Sequence, residues 1–328
     1  MRVRWFMAVL ATVLLVVGCT GSPPPEPIIA VAAGGDHSCA LRGDGTVSCW
    51  GENFTGALGD GTTTDSRVPV AVIGIANATA IAASNFQTCA LLADGGVSCW
   101  GFNGEGQLGN GTTTDSSVPV PVTGITDATA IASHGYHSCA LLADGGVSCW
   151  GINQWGQLGN GTASWFSNVP VEVSGLSNAT GLAVGYAHAC AIVDGGGAVC
   201  WGQGGYGQLG DGVRPSYALV PVAVAGMTDA TALIAGDRHT CAILGNGDMS
   251  CWGSNWFGQL GNGTNDESIA PIAVPGITGV TDLAAGTGHT CVIVDDEAVS
   301  CWGYNYFGQL GNGTTMSSNV PVPVPGFS

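Results

Sequence analysis

The stretch that decides the fold is "CALLADGGVSCWG", which occupies residues 89–101 and recurs letter for letter at residues 139–151. A cysteine opens the phrase, and a second cysteine follows ten residues later. Between them, two apolar runs flank the polar turn "ADGG", whose glycines can adopt the positive φ that a tight hairpin turn requires. The phrase therefore predicts a β-hairpin in which Cys89 lies opposite Cys99.

A looser form of this phrase is repeated along the whole chain. Its Trp-Gly step recurs six times, 50 or 51 residues apart. A period of this length is typical of propellers, solenoids and other repeat arrays. No unit shows the 3.6-residue periodicity of a helix, and each unit is divided by Gly, Asn, Asp or Pro. The six steps fall at Trp50, Trp100, Trp150, Trp201, Trp252 and Trp302.

Each unit contains four short candidate strands, as residues 129–173 show with "TAIAS", "HSCALL", "VSCWG" and "VPVEV". Proline recurs in the fourth strand, and it cannot donate to a strand ladder, so that strand should lie at a sheet edge. The alanine-rich first strand suits a crowded central axis. The pattern predicts an all-β fold, a six-bladed β-propeller of four-stranded antiparallel blades. Because the chain runs from a first strand, "IIAVAAG", to a fourth, "VPVPV", we expect the ring to close.

Twelve of the thirteen cysteines form six pairs, each separated by ten residues. Directly opposed residues of a hairpin lie within disulfide distance, so we predict one disulfide in every blade. A metal site is the alternative, because a histidine stands two residues before the first cysteine in five units. Zinc sites usually bring paired C-x2-C spacings, so we predict no metal and no cofactor. The predicted pairs are Cys39–Cys49, Cys89–Cys99, Cys139–Cys149, Cys190–Cys200, Cys241–Cys251 and Cys291–Cys301, and the histidines are His37, His137, His188, His239 and His289.

The N-terminus has the pattern of an export signal. Arg2 and Arg4 precede the short apolar run "WFMAVLATVLLVV", which predicts a signal peptide over residues 1–18. The run ends in "VVGC", which resembles a bacterial lipobox and predicts lipid attachment at Cys19. An ordinary secretory signal with a chance cysteine is the alternative. Residues 19–27 would then be a proline-rich tether, and residues 28–328 a propeller held in the cell envelope, with the lipid as its sole membrane contact.

Charge and motifs limit the classes of function. The chain has a formal net charge of −17 and no basic stripe, which argues against a nucleic-acid partner. It has no G-x-S-x-G elbow, P-loop, H-E-x-x-H or calcium-loop pattern, so we predict that the protein is not an enzyme. The alternative is an enzyme, such as a lyase or hydrolase, whose active site lies at the mouth of the central axis. We also expect a monomer.

Strand direction predicts which loops share a face. The turn between the first and second strands and the long loop after the third strand should lie at the same end of each blade, here called the upper face. These segments carry many aromatic residues outside the repeat, and aromatic side chains are enriched at binding hot spots. We expect Trp155, Trp165, Trp256 and Tyr306 to be exposed. The predicted ligand-binding residues are Trp155, Trp165, Phe166, Trp256, Phe257, Tyr304 and Tyr306.

The segment "GQLGNGT", found at 106–112, 156–162, 258–264 and 308–314 with Trp-Gly just upstream, resembles the regulator of chromosome condensation (RCC1-type) repeat. The resemblance implies a circular propeller, usually of seven blades, which is an alternative to the six counted here. The family's founder exchanges nucleotide on a nuclear GTPase, an activity that the export signal and acidic composition argue against.

A secreted bacterial member of that family inhibits β-lactamases, which makes inhibition of a secreted or envelope enzyme an alternative function. We expect instead an exported, lipid-anchored scaffold whose upper loops bind a protein or a polysaccharide.

Overall fold

The structure is a computed structural model that describes residues 26–295 and 297–327. The predicted signal peptide, Cys19 and most of the tether lie outside the described residues. Twenty-four strands form six separate four-stranded antiparallel sheets, so the prediction of an all-β, six-bladed propeller is confirmed. In the described part of the chain, no helix is long and apolar enough to cross a membrane.

The strands are numbered in chain order, four to a blade. Blades 1 to 3 comprise β1 (Ile28–Ala33), β2 (His37–Arg42), β3 (Val47–Gly51), β4 (Ser66–Ala71), β5 (Ala78–Ala83), β6 (Gln87–Leu92), β7 (Val97–Gly101), β8 (Ser116–Pro121), β9 (Ala128–His134), β10 (His137–Leu142), β11 (Val147–Ile152) and β12 (Phe166–Glu172). Blades 4 to 6 comprise β13 (Ala179–Val184), β14 (His188–Val193), β15 (Gly197–Gln203), β16 (Tyr217–Ala223), β17 (Ala230–Ala235), β18 (His239–Leu244), β19 (Met249–Gly253), β20 (Ser268–Ala273), β21 (Val280–Ala285), β22 (His289–Val294), β23 (Ala298–Gly303) and β24 (Ser318–Pro323).

Within every sheet the strands follow chain order, so the first and fourth strands are the edges. The proline-bearing fourth strand is therefore an edge strand, as predicted. The first strands face the central axis, where a cavity of about 280 Å³ is lined by residues such as Ala32, Ala82, Ala132 and Leu233. Small side chains at these positions allow the blades to approach one another at the axis.

The hairpin predicted from the repeated phrase forms in the expected register. Cys89 pairs with Cys99 and Leu91 with Val97, and Gly95 has a φ of 81°. All six predicted cysteine pairs are disulfide bonds. Each bond joins the second and third strands of one blade, so it holds together the hairpin at the centre of the sheet.

The apolar core lies between blades rather than within them. Between blades 1 and 2, Leu41, Leu58 and Val72 pack against Ala90 and Trp100. The indole Nε1 of Trp100 donates to the Ala57 carbonyl oxygen at 2.8 Å, in the long loop of the preceding blade. Four later tryptophans repeat this contact at 2.8–3.0 Å: Trp150, Trp201, Trp252 and Trp302. Blades 2 to 6 thus each depend on the preceding blade to bury this tryptophan.

The expectation that the ring closes is wrong. The described residues form five cores between successive blades and none between blade 6 and blade 1. Trp50 is partly exposed and makes no indole hydrogen bond among the described residues, whereas the other five tryptophans are 0% exposed. Val31 is 75% exposed, although the matching Ile81 packs against a core. The five interfaces that form fix the angle between blades, and this angle leaves an open sector between blades 6 and 1.

Replacing one buried tryptophan should test this arrangement. We expect Trp150→Ala to lower the free energy of unfolding by about 3–5 kcal/mol, because it removes a buried indole and leaves a cavity. The matched change Trp50→Ala, at the edge of the open sector, should cost clearly less. Denaturant unfolding of both variants measures the difference, and equal losses would show that Trp50 is buried in a closed ring.

Candidate functional site

The long loops of the upper face are held by a buried asparagine at their start. In blade 3, Asn153 Oδ1 accepts from the Leu158 backbone N–H at 3.0 Å, and its Nδ2 donates to the Thr162 carbonyl oxygen at 3.1 Å and to Ser164 Oγ at 3.1 Å. The same pattern recurs at Asn53, Asn103, Asn255 and Asn305, all 0% exposed. In these five blades one side chain ties both ends of the loop together, which gives the neighbouring aromatic residues fixed positions; blade 4 has Gly204 at this position instead.

The upper turns and the long loops share one face, as predicted. The Phe102 backbone N–H donates to the Phe86 carbonyl oxygen at 2.9 Å, and Ile152 donates in the same way to Tyr136 at 3.0 Å. Each bond joins the start of a long loop to the upper turn of its own blade. Aromatic residues from the two segments are therefore placed side by side.

One loop position, directly before the glycine of "GQL", covers the upper turn of the next blade; we call it the cap position. Tyr206 in this position lies under the guanidinium of Arg238, 4.5 Å from its ring centroid. Phe257 packs so closely on Gly288 that a Cβ there would lie 3.1 Å from its ring. Trp155 shares a cavity of about 170 Å³ with Tyr186 of the next blade. Aromatic residues at the cap position thus contribute to packing between blades.

The residue before the cap position, which we call the tip position, is a large exposed aromatic in three blades. These residues are Phe54, Trp256 and Tyr306, whose side chains are 58%, 55% and 65% exposed. Trp165, near the end of the blade 3 loop, is 63% exposed, and its carbonyl oxygen accepts from the Asn153 N–H at 3.0 Å. Trp155 is 42% exposed, so all four residues expected to be exposed are so.

The predicted ligand-binding set divides into two groups in the structure. Trp165, Trp256 and Tyr306 protrude. The others are recessed or serve as packing: Trp155 and Phe257 are caps, Phe166 begins β12 and is partly buried, and Tyr304 is partly buried with ring centroids 4.7 Å from Phe257 and 4.9 Å from Tyr306.

The predicted set left out other aromatic residues of the upper face. A chain of edge-to-face and tilted contacts, with centroids 5.6–6.5 Å apart, runs from blade 1 to blade 4 through Phe54, Phe86, Phe102, Tyr136 and Tyr186. Phe307 is 85% exposed and was also missed. The available signal was position, because Phe307 occupies the cap position of blade 6 and no following blade covers it.

The recurring histidines make contacts between blades. His37 Nε2 lies 2.8 Å from Thr88 Oγ1 of the next blade. The Thr88 hydroxyl itself donates to the Ala57 carbonyl oxygen at 3.0 Å, so His37 must be the donor, with its proton on Nε2. His188 and His239 repeat this contact at 2.9 and 3.0 Å. The neighbouring cysteines are in disulfides and are not free to bind a metal together with the histidines. These three histidines instead form structural hydrogen bonds between blades.

Burial controls the protonation of these histidines. Desolvation lowers the pKa of His137 and His188 to about 3, and that of His37 and His239 to about 4. His137 has no hydrogen-bond partner, because Ala189 replaces the threonine of the next blade. These four imidazoles are therefore neutral in the folded protein at neutral pH.

A hydrogen-bonded pair of side chains crosses the upper end of the central axis. His134 Nε2, at the end of β9, lies 2.9 Å from Asp237 Oδ1 in the upper turn of blade 5. Both side chains are about one quarter exposed. His134 also lines a cavity of about 400 Å³ together with Gly34 of blade 1 and Gly286 of blade 6. The pair links two blades that are not neighbours and narrows the opening at the axis.

The fold and this site define a repeat propeller that displays rigid aromatic loops on one face. Residues 13–328 match the RCC1-like domain family. The chain belongs to this family, and the resemblance found in the "GQLGNGT" repeats is confirmed.

Curated relatives share only part of their length with this chain. The human E3 ubiquitin-protein ligase HERC2 is 36% identical over 89 residues, which is 26% of this chain and 2% of that protein. The probable E3 ubiquitin-protein ligase HERC4 of Rattus norvegicus is 33% identical over 106 residues, 31% of this chain and 10% of that protein. The similarity therefore covers a small part of these ligases.

Solved structures show the same fold across most of the chain. Yeast RCC1 (Prp20), solved bound to Kap60, has a TM-score of 0.81 and 22% identity, covering 90% of this chain and 74% of that chain. Human WBSCR16 has a TM-score of 0.82 and 21% identity, covering 91% of this chain and 82% of that chain. At these identities the likeness shows the fold alone.

Proposed function

We propose that this chain is an exported, lipid-anchored scaffold that binds a protein partner through the protruding aromatics of its upper face. The observation that carries the proposal is the exposure of Trp165, Trp256 and Tyr306, each more than half exposed on a loop fixed by a buried asparagine. Large rigid aromatic side chains supply contact area at low entropic cost. Such residues are enriched among those that dominate binding energy.

The surroundings of these residues suit a broad protein contact. The same face carries the row of aromatic contacts from Phe54 to Tyr186, which spans blades 1 to 4. The formal net charge of −17 favours a partner with a basic surface, because complementary charge accelerates encounter. The yeast relative was solved bound to Kap60, and Prp20p of Saccharomyces cerevisiae was studied for binding to Gsp1p and histones. Those partners belong to those proteins, but they support protein binding as a use of the fold.

A polysaccharide is the second candidate ligand, because one tip combines a flat ring with an amide. The Trp256 side chain is 55% exposed, and Asn265 Nδ2 donates to the Trp256 carbonyl oxygen at 3.0 Å. Sugars are bound by stacking on aromatic rings beside polar groups. The lipid anchor at Cys19 belongs to the proposal on sequence grounds and would hold the upper face in the cell envelope. Inhibition of an envelope enzyme would be one form of protein binding.

Capture experiments with matched variants test the proposal. The oxidised domain of residues 28–328 and its triple variant Trp165→Ala, Trp256→Ala, Tyr306→Ala would be immobilised and exposed to envelope extracts and to purified polysaccharides. We expect a ligand that the native domain retains and the triple variant loses by at least tenfold, since each lost aromatic anchor costs about 1–2 kcal/mol.

The matched control is Val68→Ala, a 65% exposed apolar residue within the outer edge strand β4. Val68→Ala should bind as the native domain does. Equal capture by the triple variant would place the binding surface elsewhere, and retention of polysaccharide alone would favour the second candidate.

A further inference from the structure

The open sector exposes two halves of an interface that forms five times elsewhere in the chain. At the other junctions, the loop of one blade binds the third and fourth strands of the next. The Gly263 backbone N–H, for example, donates to the Asn319 carbonyl oxygen at 2.8 Å, and the Gln259 carbonyl oxygen accepts from Trp302 Nε1 at 2.9 Å. The matching groups of blade 6, Gly313 N and Gln309 O, make no such bond among the described residues.

Exposure of apolar side chains marks both walls of the sector. On blade 6, Ile293 is 37% exposed, whereas the matching Ile243 of blade 5 is 6% exposed. The cap residue Phe307 is 85% exposed, against 37% for Phe257. On blade 1, Val31 is 75% exposed. Apolar side chains that are exposed here but covered at the matching junctions indicate an interaction site.

We propose that the open sector is the docking site for one further blade of this same repeat, carried by a partner polypeptide. One wall is the face of blade 6 that would contact a following blade, and the other is the face of blade 1 that would contact a preceding blade. The five existing interfaces show which groups each kind of face contacts. The inference is independent of the upper-face proposal, because it uses the sides of the blades.

No single blade of a second copy of this chain can contact both walls at once. The occupant must present both of its faces, one to blade 6 and the other to blade 1. Blades 2 to 5 of a second copy have both faces covered, and blades 1 and 6 each have one face covered by their own neighbour. Only a single blade with two free faces can contact both walls.

The repeated contacts specify the chemistry of that blade. Towards blade 6 it needs an indole N–H for the Gln309 carbonyl oxygen and a hydroxyl for His289. Towards blade 1 it needs a loop carbonyl oxygen for Trp50 Nε1 and a histidine that can reach Ser38. The unit of residues 229–278 contains all four groups: Thr240 and Trp252 on its preceding face, and His239 and Gln259 on its following face.

Binding of a single repeat tests the inference. The probe is a synthetic peptide of residues 229–278 with Cys241 and Cys251 oxidised, titrated into the full chain by calorimetry. We expect one peptide bound per chain. The host variant Ile293→Asp should weaken binding at least tenfold, because it places a carboxylate in the apolar wall. The matched control Val213→Asp, 57% exposed on blade 4, should bind the peptide as the native chain does.

A fusion removes the dependence on a peptide that is unfolded when free. Residues 229–278 appended after residue 328 continue the repeat period, so the added blade should fill the sector and raise the Tm by at least 5 °C. The same fusion with Trp252→Ala should gain clearly less. Failure of the peptide to bind together with no gain in Tm would overturn the inference. So would a concentration-dependent dimer of the native chain that Ile293→Asp abolishes, since a second copy would then occupy the sector.

Discussion

Lowering the pH from 7 to 5 is expected to destabilise the folded propeller by several kcal/mol through its buried histidines. The folded-state pKa values of His37, His137, His188 and His239 are about 3 to 4, below the ordinary value of 6.5. Between these limits the unfolded chain binds protons that the folded chain does not, so stability falls as the pH decreases. Stability is greatest well above pH 6.5, where the histidines are neutral in both the folded and the unfolded chain. Each histidine contributes at most about 1.4 kcal/mol per pH unit within this window.

The hydrogen bonds explain why the folded protein rejects the proton. The Nδ1 atoms of His188 and His239 are buried and have no partner. Their Nε2 atoms already donate to threonine hydroxyls, so protonation would add a buried N–H and a charge with nothing to accept either. Gly185 and Gly236 leave room for the rings, since a Cβ at either would lie 2.3 Å from the nearest ring atom.

Blade 2 suggests the variant that separates this effect from general acid denaturation. Gln87 occupies the histidine position there, and its Nε2 donates to Ser138 Oγ of the next blade at 2.7 Å. The triple variant His37→Gln, His188→Gln, His239→Gln should keep hydrogen bonds of this kind and lose most of the pH dependence. Denaturant unfolding from pH 7 to pH 5 provides the measurement, in a range where ordinary carboxylates stay largely ionised.

The matched control is His134→Gln, which replaces the partly exposed histidine at the axial mouth and should leave the slope of the buried histidines in place. An unchanged pH dependence in the triple variant would show that other groups cause the acid sensitivity.

Reduction of the disulfides is expected to have the second large effect. Each bond closes a loop between cysteines ten residues apart, which in the chain-entropy account stabilises the fold by about 2–3 kcal/mol. Six such losses, even if not additive, approach the whole free energy of unfolding of an ordinary domain, about 5–15 kcal/mol. We expect the reduced chain to unfold at a much lower temperature than the oxidised chain, as followed by circular dichroism with and without a reductant.

A single-bond variant refines this test. Cys139 and Cys149 are 0% exposed, so the double change Cys139→Ala, Cys149→Ala should lose both the loop constraint and core packing. The matched change Cys291→Ala, Cys301→Ala, beside the open sector, should cost less because Cys291 is already partly exposed. A reduced protein as stable as the oxidised one would show that the interblade cores alone hold the fold.

The sequence predicts those parts of the structure that depend on local physics. Strand alternation and turn glycines set the register of Cys89 and Cys99, and the proline of each fourth strand locates the sheet edge. The same local reasoning could not predict whether the ring closes, because the angle between blades arises from contacts between distant residues, such as Trp100 with Ala57, which are 43 residues apart. The Trp-Gly step marked each blade but did not reveal that its indole binds the preceding one.

The site divides in the same way. Polar, glycine-rich loops predicted that Trp165, Trp256 and Tyr306 would be exposed, and they are. A loop's own composition does not show whether its cap residue is covered. Phe257 and Phe307 occupy the same position in almost the same sequence, and only the presence of a following blade makes the first recessed and the second exposed.

The row of tryptophans also gives the molecule a polarity. Each buried indole belongs to one blade and its acceptor to the blade before. The contacts between blades therefore form a series with two ends and not a closed ring. Stability of this kind is a sum over neighbours. Opening should therefore start by fraying at the terminal blades, 1 and 6, each of which has a single neighbour. The central blades would be the last to exchange their backbone protons. Any unit that joined blades 6 and 1 would give every blade two neighbours, so that no terminal blade would remain from which unfolding could begin.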